Sequence, residues 1–159
     1  MGNDKVVRDK EEGSVPVEEL IQLKEKLDGE RPVNWADFPD IGLYKDQVVS
    51  YMYRQLIHFE EEGRLTSAMI NNYIKGRLLP RAKGKKYTRE HLAGLTEICI
   101  LKQILSVENT GFLLHQELQG DNQEAFYEKF CNILDQALTE TSTQIHTDWD
   151  AGSLSDIAL

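Results

Sequence analysis

Apolar residues recur along most of the chain at spacings of three and four positions, which is the period of an amphipathic helix. Counted with their caps, the segments that follow this period predict six helices, over about residues 16–27, 43–61, 66–75, 88–105, 106–118 and 121–145. A brief extended step is expected near Tyr87. The pattern therefore predicts an all-α fold with at most a minimal β-hairpin.

Residues with short polar side chains precede most of these segments, where they can accept hydrogen bonds from the first free backbone N–H groups of a helix. The predicted N-caps are Ser14, Thr66, Thr88, Ser106 and Asp121. Glycine and proline then mark where the helical segments stop. These breakers are Gly29, Gly63, Gly76, Pro80 and Gly120.

The segment 88–105 is apolar around so much of its circumference that we expect it to lie at the centre of the core. Its apolar residues are Leu92, Leu95, Ile98, Cys99, Ile100, Leu101, Ile104 and Leu105. The connector after the first helix should pack onto this core through Trp35, Phe38 and Ile41.

The last helix carries a long apolar stripe. It consists of Ala125, Phe126, Phe130, Ile133, Leu134, Ala137, Leu138 and Ile145. A stripe of this kind covers the core or, if the helix stands clear of it, pairs with another copy of the chain. The sequence leaves both arrangements open.

A length of 159 residues suits one ordinary core, so we expect a single helical domain over residues 14–146. Residues 1–13 lack periodicity and predict a disordered N-terminus, and residues 147–159 predict a flexible acidic tail. No apolar run approaches the roughly 20 residues that a membrane span needs. Cys99 and Cys131 lie in apolar helical runs and form no disulfide framework, so we expect a soluble protein of the reducing cytoplasm.

Charge is distributed very unevenly along the chain. The net charge is −9, yet residues 64–90 hold eight Lys and Arg against a single acid, Glu90. That segment is therefore +7 and the remainder is −16. The division concentrates positive potential on one small patch, while the acidic remainder resists indiscriminate binding elsewhere.

The short helix inside this basic segment is predicted to have two distinct faces. At 100° per residue, Met69, Ile70, Tyr73 and Ile74 fall on one arc. The other arc is small, polar and cationic, and it consists of Ser67, Ala68, Asn71, Asn72 and Lys75. Asn can pair bidentately with adenine and Lys can donate to guanine, so this face is suited to the major groove of DNA. We predict that Ser67, Asn71, Asn72 and Lys75 face bases.

A cationic turn around Gly84 follows the short helix directly, and it would follow the phosphates beside the groove. The predicted phosphate-facing residues are Arg77, Arg81, Lys83, Lys85, Lys86 and Arg89, together with Tyr73. A charge run is usually only a solvated loop. Its position between a capped short helix and a buried helix is what favours DNA binding here.

The segment LTSAMINNYIKGRLLPRAKGKKYTREHL, residues 65–92, resembles the MerR-type winged helix-turn-helix. Matches to the family pattern are Ile70, Tyr73, Leu78, Leu79, Pro80, Lys85, Tyr87, Thr88 and Leu92. Asn71 departs from it, because the family usually has a phosphate-binding arginine there. Arg77 also departs, since it replaces the glycine before Leu-Leu, and the wing is short. The resemblance implies a MerR-like winged helix-turn-helix over about residues 43–105, packed with C-terminal helices over about 106–146.

From about Phe38 onward, including MINNYIKGRLLP, KKYTREHL and LKQILS, the chain resembles the bacterial family known as domain of unknown function 1836. The two resemblances together imply a sequence-specific, DNA-binding transcriptional regulator. They also imply a homodimer on double-stranded DNA, for which the last helix is a short but available pairing element. They supply no effector, operator or cofactor.

Other function classes find little support in the sequence. His58, His91, His115 and His146 are dispersed without metal-ligand spacing, and His91 is expected to be a surface or half-buried structural residue. We therefore expect no enzyme activity, catalytic residue, metal or cofactor. The alternative is a protein-binding adaptor that uses the basic patch and the C-terminal helix.

Overall fold

The computed structural model of the chain describes residues 16–55, 64–118 and 122–145, and the structure within them is almost entirely helical. Its helices are α1 (Val17–Gly29), α2 (Lys45–Gln55), α3 (Ser67–Lys75), α4 (Arg89–Leu101), α5 (Val107–Leu118) and α6 (Gln123–Gln144). A 3₁₀ turn spans Trp35–Asp37, and the β-structure in these residues consists of two isolated antiparallel bridges. The all-α prediction is confirmed. The predicted disordered ends, 1–13 and 147–159, and the predicted helical residues 56–61 lie outside the described residues.

The chain divides into two compact units. One unit combines Met1–Gly29 with Leu138–Leu159, and the other is Glu30–Ala137. In the described part of the first unit, the Lys24 ammonium donates to the backbone oxygen and the hydroxyl of Ser142, both at 2.9 Å.

The core of the second unit is built around α4. Every residue from His91 to Ile98 is buried, so this helix is the central one, as its apolar circumference predicted. Tyr127 on α6 is fully buried, although it was not part of the predicted stripe, and its hydroxyl donates to the Val33 backbone oxygen at 2.7 Å. Its ring lies 5.3 Å from that of Phe38, which confirms the connector as part of the core.

The predicted N-caps are largely confirmed. Thr66 and Ser106 accept hydrogen bonds from the backbone N–H groups of Met69 and Asn109. At the start of α6 the described cap is Asn122, whose side-chain oxygen accepts from the Ala125 N–H at 2.7 Å. The predicted caps Ser14 and Asp121 lie outside the described residues.

Two predicted apolar contacts are wrong. Ile41 is 67% exposed, because Leu43 two residues later pairs with Tyr87 and packs on the core instead. Ile104 is 82% exposed, because α4 ends at Leu101 rather than at 105. The helix cannot continue through Ser106, since that residue caps α5 and a cap needs non-helical backbone. On the stripe of α6, whose burial the sequence left open, Ile133 is exposed, because the buried arc of that helix is centred on Tyr127.

Glu97 is the unusual residue of the core. It is 1% exposed, and its Oε1 atom has no hydrogen-bond partner within the described structure. Burial raises the pKa of this carboxyl to about 8, because a low-dielectric environment disfavours the charged form. Glu97 is therefore mostly protonated in the folded chain at neutral pH.

The two cysteines are free thiols, in agreement with the predicted packing role. Burial raises the pKa of Cys99 to about 12 and also raises that of Cys131, so neither is activated as a nucleophile. In the part of the chain that the structure describes, no helix combines the length and apolar character needed to cross a membrane.

Candidate nucleic-acid interface

The two faces of α3 lie as the sequence predicted. Ile70 and Tyr73 are buried in the core, and Met69 and Ile74 are half-buried beside them. The opposite face is exposed and consists of Ser67, Ala68, Asn71, Asn72 and Lys75. The helix contains no acidic residue, so this face presents amide, hydroxyl and ammonium groups without a competing carboxylate.

The C-terminus of α3 forms a Schellman motif with an arginine in the position that favours glycine. The Leu78 N–H donates to the Tyr73 oxygen at 2.9 Å, and the Arg77 N–H donates to the Ile74 oxygen at 3.1 Å. Arg77 therefore adopts φ 59°, in the left-handed region. Gly76 has an ordinary φ of −77°, although a Cβ there would approach Leu78 to 3.1 Å.

Replacing Arg77 with glycine is expected to raise the free energy of unfolding by about 0.5–1 kcal/mol, because the strain of a Cβ at positive φ disappears. Urea unfolding followed by circular dichroism measures the change. Arg81→Gly is the matched control: Arg81 is equally exposed but has no positive φ, so the glycine should destabilise there. Equal effects at both positions would contradict the strain at Arg77.

The basic turn is a two-residue hairpin. Lys83 and Lys86 exchange backbone hydrogen bonds, each of 3.0 Å, and the residues between them, Gly84 and Lys85, have φ of 55° and 65°. Two successive positive φ values are the requirement of a type I′ turn. Directly after it, Tyr87 pairs with Leu43 through bonds of 2.7 and 2.9 Å. The predicted extended step at Tyr87 is therefore present as an isolated bridge.

His91 joins the basic turn to the core helix, and it is buried rather than at the surface or half-buried. Its Nδ1 atom accepts from the Thr88 backbone N–H at 3.0 Å, which is the capping-box bond usually made by Glu or Gln. Its Nε2 atom lies 3.1 Å from the Arg81 carbonyl oxygen, so Nε2–H donates there. One neutral imidazole thus fixes the start of α4 and the residue that leads into the turn.

His91→Ala is expected to lower the free energy of unfolding by about 2–4 kcal/mol, because it removes both hydrogen bonds and a buried ring. Thermal unfolding measures the loss. His91→Gln separates the contribution of the capping-box bond from the others, since glutamine can restore the bond to Thr88 but not the bond to the Arg81 oxygen. A glutamine variant no better than the alanine variant would assign the stabilisation to the buried ring and its bond to the Arg81 oxygen, and not to the capping-box bond.

Most of the predicted phosphate-facing cations are exposed and available. Their side chains form no hydrogen bond or ion pair within residues 16–55, 64–118 and 122–145. These residues are Arg77, Arg81, Lys83 and Lys85; Lys75, which was predicted to face bases, is exposed in the same way. Lys86 is also exposed, with its ammonium 5.7 Å from the centre of the Tyr44 ring. The exit of α3, residues 76–82, and the hairpin, residues 83–86, therefore carry several exposed cations.

Two residues of the predicted set lie elsewhere. Tyr73 is 2% exposed, and its hydroxyl accepts from the Lys102 ammonium at 2.7 Å, so it belongs to the core and not to the phosphate-facing surface. Arg89 is half-buried and donates to the Phe38 backbone oxygen at 3.2 Å. One N–H group of its guanidinium therefore binds the connector instead of facing the proposed interface.

Lys45, at the start of α2, joins the polar face of α3, although sequence analysis did not include it. Its ammonium donates to the Asn71 side-chain oxygen at 2.5 Å. Asn71 then retains its NH₂ group as a donor. Lys45 was missed because it lies outside the basic segment 64–90 and has only acidic and polar neighbours in sequence. A pairing of α2 with α3 is the only signal that could have placed it here.

Among the described residues, no three His, Cys, Asp or Glu side chains are grouped in a way that could hold a metal ion. The acid nearest in sequence to the hairpin is Glu90, and the Thr88 side chain lowers its pKa through a hydrogen bond. Glu90 is exposed and charged beside Lys83, which also lowers that pKa. The interface is thus a cationic surface with one acid at its edge.

Residues 33–130 match the model of the protein family described as Domain of unknown function (DUF1836). The matched region includes α2 to α5, the hairpin, and the start of α6. No curated protein and no solved structure matches the chain significantly.

Proposed function

Because the chain belongs to the DUF1836 family, whose description assigns no activity, we propose from its geometry that it is a sequence-specific DNA-binding regulator of transcription. In this proposal α3 enters the major groove, and the exit of α3 and the hairpin bind the flanking phosphates. The observation that carries the proposal is the exposed, acid-free face of α3 beside a run of exposed cations.

The chemistry of α3 supports base recognition. Asn72 and Lys75 are exposed without a side-chain partner in the described structure, and Asn and Lys supply the donors that read adenine and guanine edges. Asn71 has its oxygen bound by Lys45, so its NH₂ group is the part that remains for a base acceptor. Ser67 is exposed at the first turn, where helix N-termini commonly approach a phosphate or a base edge.

The cations around α3 support phosphate binding. The backbone that carries them is held by the Schellman motif, the I′ turn and the His91 contact with the Arg81 oxygen, so their attachment points are in place before DNA arrives. We propose Arg77, Arg81, Lys83, Lys85 and Lys86 as the phosphate-facing residues. Compared with the sequence-based set, Tyr73 and Arg89 are left out, and Lys45 is added as a positioning residue for Asn71.

The MerR-like architecture is part of this proposal. It is supported by the order of elements, which is a helix, a capped short helix, a basic hairpin and a buried helix. We further propose that two copies bind a palindrome. Half-sites one helical turn apart, roughly 10 base pairs centre to centre or a multiple of that, are then expected.

Selection of bound DNA from a random double-stranded library at a stated salt concentration tests the proposal. Recovery of one shared motif, present as two half-sites, is the expected result. A variant with Asn72 and Lys75 both replaced by alanine should lose the motif and keep weak, non-specific retention. Failure of the wild-type chain to enrich any motif would overturn the proposal.

A second candidate, a protein-binding adaptor, is favoured by one observation. Phe112 on α5 is 66% exposed, and Ile104 just before that helix is exposed even further. Phe112→Ser separates the candidates, because it should leave DNA selection unchanged if α3 is the functional surface. A protein partner that binds the wild type but not Phe112→Ser, with no DNA motif enriched by the wild type, would assign the function to the apolar surface instead.

A further inference from the structure

A groove of about 620 Å³ lies beside the exit of α3, between that exit and α5. This volume is within the range of small-molecule sites in proteins, about 300–1,000 Å³. The groove lies entirely within the unit formed by residues 30–137. Neither the family description nor the proposed DNA contact assigns it an occupant.

The floor of the groove is apolar and fixed in position. Leu79 and Leu114 are buried, while Ile74 and Leu78 are half-buried and leave apolar atoms accessible. The exit segment approaches α5 closely at Gly111, where an added Cβ would lie 3.3 Å from the Leu78 side chain. A partly accessible apolar surface of this kind favours an apolar ligand body over water.

The rim of the groove is cationic. Lys75, Arg77 and Arg81 border it from the α3 side, and His115 borders it from α5. None of the described residues that line the groove is acidic. The side chains of Arg77 and Arg81 have no partner in the described structure, so their positive charges are available to a ligand.

We propose that this groove binds an organic anion with an apolar body, whose acidic group lies between the arginines and whose body rests on Leu78. Charge complementarity and the partly exposed apolar floor select this ligand class over sugars, nucleosides and organic cations. The binding itself stands independently of the DNA proposal. Its consequence rests on that proposal: the anion occupies Arg77 and Arg81, so bound anion and bound DNA phosphate exclude each other.

The probe for binding is anilinonaphthalene sulfonate, an apolar anion whose fluorescence rises on binding, compared with the uncharged phenylnaphthylamine. The wild-type chain should bind the sulfonate at least about fivefold more tightly than the uncharged analogue. His115 is exposed on α5 and outside the proposed DNA face, so its charge can be changed without altering the core. His115→Glu should weaken sulfonate binding by about threefold or more, and His115→Lys should strengthen it.

The matched control is Gln116→Glu, which introduces the same charge one position along α5, at an exposed residue that does not line the groove. Equal effects of the charge at 115 and at 116, or equal binding of the charged and uncharged probes, would overturn the site. Displacement of a selected DNA motif by the sulfonate would support the mutual exclusion. Sulfonate binding without displacement would confirm the groove and reject only its link to DNA.

Discussion

Glu97→Gln is expected to make the folded chain more stable than wild type above neutral pH and to flatten the dependence of its stability on pH. The carboxyl has a pKa of about 8 in the folded chain and an ordinary pKa near 4.5 when unfolded. Between those values the folded state holds a proton that the unfolded state releases. Rising pH therefore favours unfolding through this window, and the stability present below it is lost by the time pH exceeds the folded pKa.

The size of the effect follows from the width of that window. Each unit of pKa difference corresponds to about 1.4 kcal/mol, so the loss approaches about 3 kcal/mol at pH 7 and about 5 kcal/mol well above pH 8. Glutamine resembles the protonated acid in shape and does not titrate. The variant should therefore keep the free energy of unfolding that wild type loses as the pH rises. Urea unfolding of both proteins at a series of pH values measures the difference.

Glu108→Gln is the control for that measurement, because Glu108 is exposed at the start of α5. Its difference from wild type should stay nearly constant across the same pH series. A Glu97→Gln difference that is equally constant would show that the buried carboxyl does not take up a proton on folding.

The second large effect concerns DNA. Replacing Arg81 and Lys85 together with glutamine is expected to reduce the affinity for any DNA by roughly ten- to a hundredfold at moderate salt, because two phosphate contacts disappear. The plot of log binding constant against log salt should also become shallower by about 1.8. Fluorescence anisotropy with a labelled duplex at four or five salt concentrations gives both quantities.

Arg54→Gln with Lys129→Gln is the matched control, since both residues are exposed, lie outside the proposed interface and remove the same total charge. This variant should leave the slope unchanged and shift the affinity only slightly. If the two double variants lower the slope equally, net charge rather than the α3 surface governs binding. Circular dichroism of all variants checks that the fold is kept.

The pattern of apolar residues predicted the helices well because that pattern reflects local geometry. Thr66, Thr88 and Ser106 marked helix starts, since a cap is satisfied by backbone groups within three residues. Ile104 was placed wrongly for the same reason. Its position fits the period of α4, but the cap of the next helix, two residues later, ended α4 first.

Contacts between distant segments were beyond what the sequence could predict. The pairing of Lys45 with Asn71 spans 26 positions, and the bond from Tyr127 to Val33 spans 94. Neither leaves a periodic signal. Tyr73 was assigned two incompatible roles, on the apolar arc and among the phosphate-facing residues, and its burial decides for the first. The groove was likewise invisible, because it depends on how closely Gly111 lets α5 approach Leu78.

The two positive φ values at cationic residues have a consequence for how this sequence should drift over generations. At positions 77 and 85, mutation to glycine relieves backbone strain, so selection for stability alone would replace both side chains. A lineage that retains arginine and lysine there sacrifices stability for charge. Descendants that have lost the use of this surface should accumulate glycine at these two positions first, before the remaining cations of the patch begin to disappear.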